Sequence, residues 1–299
     1  AANLDAASAR ASYQSARDSL AASVIRSYIE VITQQNLLAI ERQRLQVLEN
    51  QEAIILTRYR TGLGDLDDLD TARTSSASTR ATIAQYEYAL AASKRTLAVL
   101  LGRQEQSLPE LHSNVSYPDV LVPLTSVPDQ DLARRPDLQA AYFTIKASEH
   151  NVDVAYKALL PSINLSAALT DTASSASDAL FSNPLWSLLG QITAPLFQGG
   201  ELRAQVDTAE LNALTAWWQY KETLLNAVQE TQDAIDNERT LTARIRFTAE
   251  AIDNAQRSVQ STSGDYRQGL ADILDLLSVY NTRFDLQAQQ VELRASQLQ

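Results

Sequence analysis

Tyr59-Arg-Thr-Gly-Leu-Gly-Asp-Leu-Asp-Asp-Leu69 and Tyr266-Arg-Gln-Gly-Leu-Ala-Asp-Ile-Leu-Asp-Leu276 decide the fold. They align at a constant offset of 207, and seven of eleven positions carry the same residue. In each copy a Gly-Leu pair stops one helix and an aspartate starts the next. Both copies stand between long segments poor in breakers. A match at fixed offset, flanked in the same way twice, predicts a tandem duplication of one long helical hairpin.

Working outward, the stretch from Asn3 to Arg60 holds neither proline nor glycine, and Val24, Val31, Leu38 and Leu45 recur every seven residues. Tyr28, Leu48 and Ile55 flank that stripe. A seven-residue apolar repeat of this length predicts a helix packed on neighbours as a coiled coil, about 85 Å long. A returning helix is predicted over Leu66–Leu101, capped by Gly102. Four prolines (109, 118, 123 and 128) mark Arg103 to Pro128 as an irregular connector. A further helix is predicted from about Asp131 to Leu159. Another follows from Glu201 to Gln268, with Leu224, Val228, Ile235, Ile245, Ile252 and Val259 at heptad-like spacing. A last helix follows Gly269-Leu270-Ala271-Asp272.

Between Pro161 and Leu169 the period changes. Ile163, Leu165, Ala167 and Leu169 alternate with Ser162, Asn164, Ser166 and Ala168, which predicts a strand with one apolar face. A loop over residues 170–183 leads to a second strand, Leu185 to Phe197, ended by Gly199-Gly200. A lone strand pair is marginal in water, and in lipid only a closed barrel satisfies every backbone polar group. One chain offers too few strands to close, so several chains are required. Phe181, Trp186 and Phe197, near the strand ends, suit a membrane interface. An ordinary soluble hairpin packed on helices accounts for the pattern equally well.

The fold class is therefore mainly α: long antiparallel coiled-coil hairpins in tandem repeat, with one short β-hairpin. Residues 1–102 form the first hairpin and 103–133 the connector. Residues 134–299 form the second repeat, with the β-hairpin at 160–199 and the second long hairpin at 200–299. The second copy begins near Arg134, and 134 − 207 = −73, so its counterpart falls before residue 1. A connector helix and two strands, about 75 residues or more, are expected upstream. The lack of any methionine agrees with a start earlier than Ala1.

Composition excludes several functions. With 25 basic and 36 acidic residues the net charge is −11, the wrong sign for nucleic acid. No cysteine is present, and the two histidines, His112 and His150, lie 38 residues apart. No metal-ligand spacing, nucleophile–histidine arrangement or phosphate-binding glycine loop surrounds them. We expect no enzyme activity, no cofactor and no metal. No run of 18 apolar residues predicts a membrane-spanning helix.

Four stretches together resemble a known family: Leu132-Ala-Arg-Arg-Pro-Asp-Leu-Gln-Ala-Ala141, Leu160-Pro-Ser-Ile-Asn-Leu-Ser166, Ala194-Pro-Leu-Phe-Gln-Gly-Gly200 and the paired Tyr-Arg-x-Gly-Leu-x-Asp turns. Their order and spacing resemble the outer-membrane factors, the TolC-like ducts, and most of all the lipoprotein branch serving resistance-nodulation-division efflux pumps. The sequence departs from that pattern in holding only the second strand pair and no lipid-anchor cysteine.

The resemblance implies a homotrimer in the outer membrane and periplasm of a Gram-negative bacterium, with the β-hairpin contributing to a trimeric β-barrel in outer membrane lipid. It implies a passive efflux channel gated at its periplasmic helical tip, partnered by a periplasmic adaptor (membrane fusion) protein and an inner-membrane pump. Protein secretion by the same fold, or a purely structural coiled coil, are the alternatives.

By the same resemblance, Gly62, Leu63, Gly269 and Leu270 are the adaptor-docking turns, and Tyr266, Asp68 and Asp275 are the gate, with a hydrogen bond from Tyr266 to Asp68. Read without it, Leu63 and Leu270 pack their own turns, and Asp65, Asp68, Asp272 and Asp275 are acids favoured by helix starts. That last role suits Asp65 and Asp272, with Asp68 and Asp275 one turn deeper. A second family acid falls on Ser278. Arg134-Arg135-Pro136-Asp137 reads as a structural helix start, and Trp217 and Trp218 as packing or interface aromatics.

Overall fold

The computed structural model describes residues 2–104, 117, 132–170 and 185–299. In chain order these form α1 (Ala2–Arg60), α2 (Leu66–Leu100), α3 (Pro136–Lys157), β1 (Ser162–Thr170), β2 (Leu185–Thr193), α4 (Glu201–Gln268) and α5 (Ile273–Leu298). Most of the connector over 103–133 lies outside the described residues, with His112, and so does the loop over 171–184, with Phe181.

Two boundaries differ from expectation. The helix expected from Asp131 begins at Pro136, because Arg135 is extended at ψ 128° and serves as its N-cap. A residue before proline is disfavoured in the helical region, while proline fits the first helical position. The second strand, expected to reach Phe197, ends at Thr193. Pro195 cannot donate a ladder hydrogen bond.

The chain divides into two compact units. The first holds Ala1–Ser15 and Pro128–Gln229. Here the Ser8 hydroxyl donates to the Ala140 carbonyl at 3.1 Å, and the Tyr156 hydroxyl donates to Glu210 at 2.6 Å, joining α3 to α4. Leu138, Ile145 and Ala147 of α3 and Val206, Ala216 and Ala227 of α4 are buried. Strands β1 and β2 pair antiparallel with Ile163 opposite Ile192, Leu165 opposite Gly190, Ala167 opposite Leu188 and Leu169 opposite Trp186. Directly opposed residues share a face, so those eight form an apolar surface. Ser162, Asn164, Ser166, Ser187, Gln191 and Thr193 lie on the other face, with Leu185 and Leu189 among them. Every residue of both strands is exposed in the single chain.

The second unit holds Ala16–Val127 and Glu230–Gln299. Arg42 pairs with Glu87 at 2.8 Å, Arg80 with Glu49 at 2.8 Å and Arg73 with Glu52 at 3.8 Å. As positions rise on α1 they fall on α2, the signature of an antiparallel hairpin. Arg283 donates to Gln256 at 3.0 Å and Gln297 to Glu238 at 3.2 Å, which aligns α5 against α4 in the same way. Exposed pairs of this kind report register more than they stabilise. Arg44 of α1 pairs with Asp285 of α5 and lies over the buried Phe284 ring at 5.6 Å. Beside it burial raises the Glu41 carboxyl, opposed by Arg44 and reinforced by Asp285.

One buried cluster of this unit joins Leu48, Ile55, Leu69, Ala72, Tyr266, Ile273, Leu276 and Leu277. It draws on both hairpins, so the two corners lie at the same end of the unit. Leu69 and Leu276, counterparts in the repeat, are both buried within it. On α4 the seam leading there includes Leu241, Thr248, Ala255, Val259 and Tyr266.

Leu276→Ala is expected to lower unfolding free energy by about 2–5 kcal/mol, the cost of a cavity in a closed core. The exposed Val99→Ala should stay within about 0.5 kcal/mol. Urea midpoints of the two variants check this.

Candidate functional site

Each corner begins where a helix runs out of N–H donors for its last carbonyls. At the first, Gly62 N–H donates to the Tyr59 carbonyl at 3.0 Å and Leu63 N–H to the Arg58 carbonyl at 2.8 Å. At the second, Gly269 donates to Tyr266 at 3.1 Å and Leu270 to Asp265 at 2.8 Å. Both are Schellman motifs, with glycine as the left-handed residue at φ 75° and 77°. A side chain there is strained, which explains the glycine in both copies.

The motif pushes the following leucine outward. Leu63 is 74% exposed and Leu270 75%. In many Schellman motifs this residue packs on the third helical residue from the end. Here those residues are Arg58 and Asp265, and neither covers its leucine. Both leucines are thus left largely uncovered within the chain.

Aspartates then start the returning helices. Asp65 is the N-cap of α2 and accepts from Asp67 N–H at 3.5 Å. Asp272 is the N-cap of α5 and accepts from Ile273 N–H at 2.6 Å. Asp275 accepts from Asp272 N–H at 3.4 Å, completing a capping box. Asp68 and Asp275, both expected one turn deeper, are thus first-turn acids, and Asp275 is exposed. Ser278 is exposed as well.

Tyr266 is 9% exposed and sits in the shared core, whereas its counterpart Tyr59 is 41% exposed. Ile273 is fully buried and its counterpart Leu66 is 46% exposed. Pairing of the hairpins has broken the symmetry of the repeat. The expected hydrogen bond from Tyr266 to Asp68 is not made within the chain. Instead the Arg58 guanidinium lies over the Tyr266 ring, 5.1 Å from its centroid. Sequence reasoning missed Arg58. The available signal was a charge reversal between the copies, since residue 265 at offset 207 is aspartate.

Asp68 is half-buried between the corners. Burial raises its carboxyl above the ordinary range, the charges of Asp272, Asp65 and Asp67 add to this, and Arg58 opposes it.

The other candidates lie elsewhere. Arg135 grips Asp137 with two hydrogen bonds, 3.2 and 2.8 Å, and these, more than anything else, hold the Asp137 carboxyl below its ordinary range. Asp137 also accepts from Leu138 N–H at 2.8 Å, as a helix start requires. Trp217 and Trp218 meet edge to face at 4.8 Å, with Lys221 over both rings at 5.5 and 5.1 Å. His150 is exposed, 3.8 Å from Asp153. Among the described residues no group of His, Cys, Asp or Glu is arranged to hold a metal ion, and no helix is long and apolar enough to cross a membrane.

The family profile described as outer membrane efflux protein matches residues 1–103 and 127–299. The chain is 28% identical over 309 residues to the pyoverdine export outer membrane protein OpmQ of Pseudomonas aeruginosa, covering 97% of this chain and 64% of OpmQ. It is 28% identical over 269 residues to the cation efflux system protein CusC of Escherichia coli K12, covering 89% and 58% of the respective chains. The chain thus spans less than two thirds of the length of these relatives. The crystal structure of the outer membrane protein VceC from Vibrio cholerae superposes with a TM-score of 0.86 at 27% identity, over 99% of this chain and 71% of VceC.

A carboxyl raised on folding contributes most stability below its ordinary value, 3.8 for aspartate, and loses it as pH rises through the raised one. Asp68→Asn is therefore expected to have a higher thermal midpoint than the unaltered protein at about pH 7, with the gap closing near about pH 3. Melting curves across pH check this.

Proposed function

This chain belongs to the outer membrane efflux protein family, and we propose that it forms a passive, homotrimeric outer-membrane duct of a tripartite efflux pump. The observation that carries the reading is the twin corner. Two glycine reversals of equal geometry, each presenting an exposed leucine, fold into one core.

In this reading 1–102 and 200–299 are the paired hairpins of a helical tunnel, and 160–199 is one chain's share of a β-barrel. The hairpin's two unlike faces support that role. An apolar face suits lipid and a polar face suits a wet lumen, and neither is covered within the chain. The duct lies in the outer membrane and periplasm. Its cargo is an exported solute, as pyoverdine and cations are in the names of OpmQ and CusC.

The corners serve two purposes. Leu63 and Leu270, raised by Gly62 and Gly269, offer apolar anchors to the helical hairpin of a periplasmic adaptor, which couples the duct to an inner-membrane pump. Tyr266, Asp68 and Asp275 govern the constriction. Carboxylates repeated by threefold symmetry around an axis favour cations.

Two experiments test this. Leu63→Ser together with Leu270→Ser should weaken adaptor binding by about 1–2 kcal/mol per anchor, measured by titration in detergent; unchanged affinity would remove the docking assignment. Tyr266→Ala together with Asp68→Ala in the full-length trimer should raise conductance in planar bilayers. Conductance held at the closed level would remove the gate assignment.

A further inference from the structure

We infer that Arg58 is the positioning residue that holds the tip closed, by laying its guanidinium on the Tyr266 ring across the two hairpins. The inference rests on the gate reading above and replaces its expected hydrogen bond with a different interaction.

Arg58 belongs to α1 and Tyr266 to α4, so their contact joins the two copies of the repeat at the corner. The ring is 9% exposed. A cation over a desolvated aromatic face gains more than one over an exposed ring. The arginine's backbone is fixed in place. Its carbonyl accepts Leu63 N–H at 2.8 Å, and a Cβ at Gly64 would come within 3.2 Å of the Arg58 Cβ. The turn that makes the corner therefore also places the arginine's backbone and Cβ, from which its guanidinium reaches the ring.

Two further observations fit this role. Asp68 lies where Arg58 opposes the repulsion from Asp272, Asp65 and Asp67, so the same guanidinium offsets the acids gathered by the paired corners. The second copy of the repeat has aspartate at the corresponding position, Asp265, and the tyrosine matching Tyr266, Tyr59, is 41% exposed. The cation and its buried ring thus occur together in one arrangement, not in two.

Conductance of the full-length trimer in planar bilayers tests this, with trimer mass in detergent as the control for assembly. Arg58→Gln should raise the open-to-closed ratio by about 2- to 30-fold per chain, the range of a cation–π contact. Arg58→Lys should recover a large part of closure, because an ammonium also binds a ring face. Tyr266→Phe should stay closed, since the ring and not the hydroxyl is the partner, whereas Tyr266→Leu should open. Arg58→Gln with Tyr266→Leu should open no further than either alone. Arg58→Gln left at the closed level, while Tyr266→Ala with Asp68→Ala opens, overturns the inference and keeps the gate reading. Opening by Tyr266→Phe equal to that of Tyr266→Leu also overturns it, in favour of a hydroxyl bond. If Arg58→Gln does not assemble, the contrast between Tyr266→Phe and Tyr266→Leu decides alone.

Discussion

A long helix must end with its last carbonyls satisfied, and here glycine in the left-handed region is the means. Gly62 and Gly269 each let the chain reverse within a few residues while their own N–H groups and those of the next leucines cap the helix. Much follows from that local requirement. It sets where α1 meets α2 and where α4 meets α5, hence the antiparallel register marked by Arg42–Glu87 and Arg283–Gln256. It also turns Leu63 and Leu270 outward. Because it is solved identically in both copies, Leu69 and Leu276 come to the same depth and share one core.

The same economy creates a conflict. Acids at helix starts are favourable, since they answer the free N–H groups and the positive end of the helix dipole. Each corner supplies its own, and pairing the corners brings both sets together. Asp68 records the result in a carboxyl raised by burial and by the acids around it. Locally good choices that become costly on assembly mark regions under a functional demand. Arg58 relieves part of that cost while covering the Tyr266 ring.

The β-hairpin is unfinished in another sense. Its register is complete from Ser162–Thr193 to Thr170–Leu185, yet every residue in it is exposed. Two strands bury too little to be stable alone. The apolar face around Ile163, Leu165, Leu188 and Ile192 requires a covering that one chain does not provide. In the proposed trimer, a barrel closed by several chains would supply it.

What the sequence determined by itself is what local backbone chemistry controls. Breaker-free heptad runs, glycine stops, aspartate starts and the alternation of Ile163, Leu165 and Leu169 each act within a few residues, so helices, corners, first strand and repeat were legible. The misplaced ends were local too: Pro136 and Pro195 set boundaries that periodicity overran. Tertiary structure alone decided which of two equivalent residues is buried. Tyr59 and Tyr266, or Leu66 and Ile273, are indistinguishable within their own copies, and their fates diverge because one hairpin meets the other on a single side. The partner of Tyr266 was hidden for the same reason. Arg58 lies 208 residues away in the chain, and only the packing of two helices brings its charge over that ring.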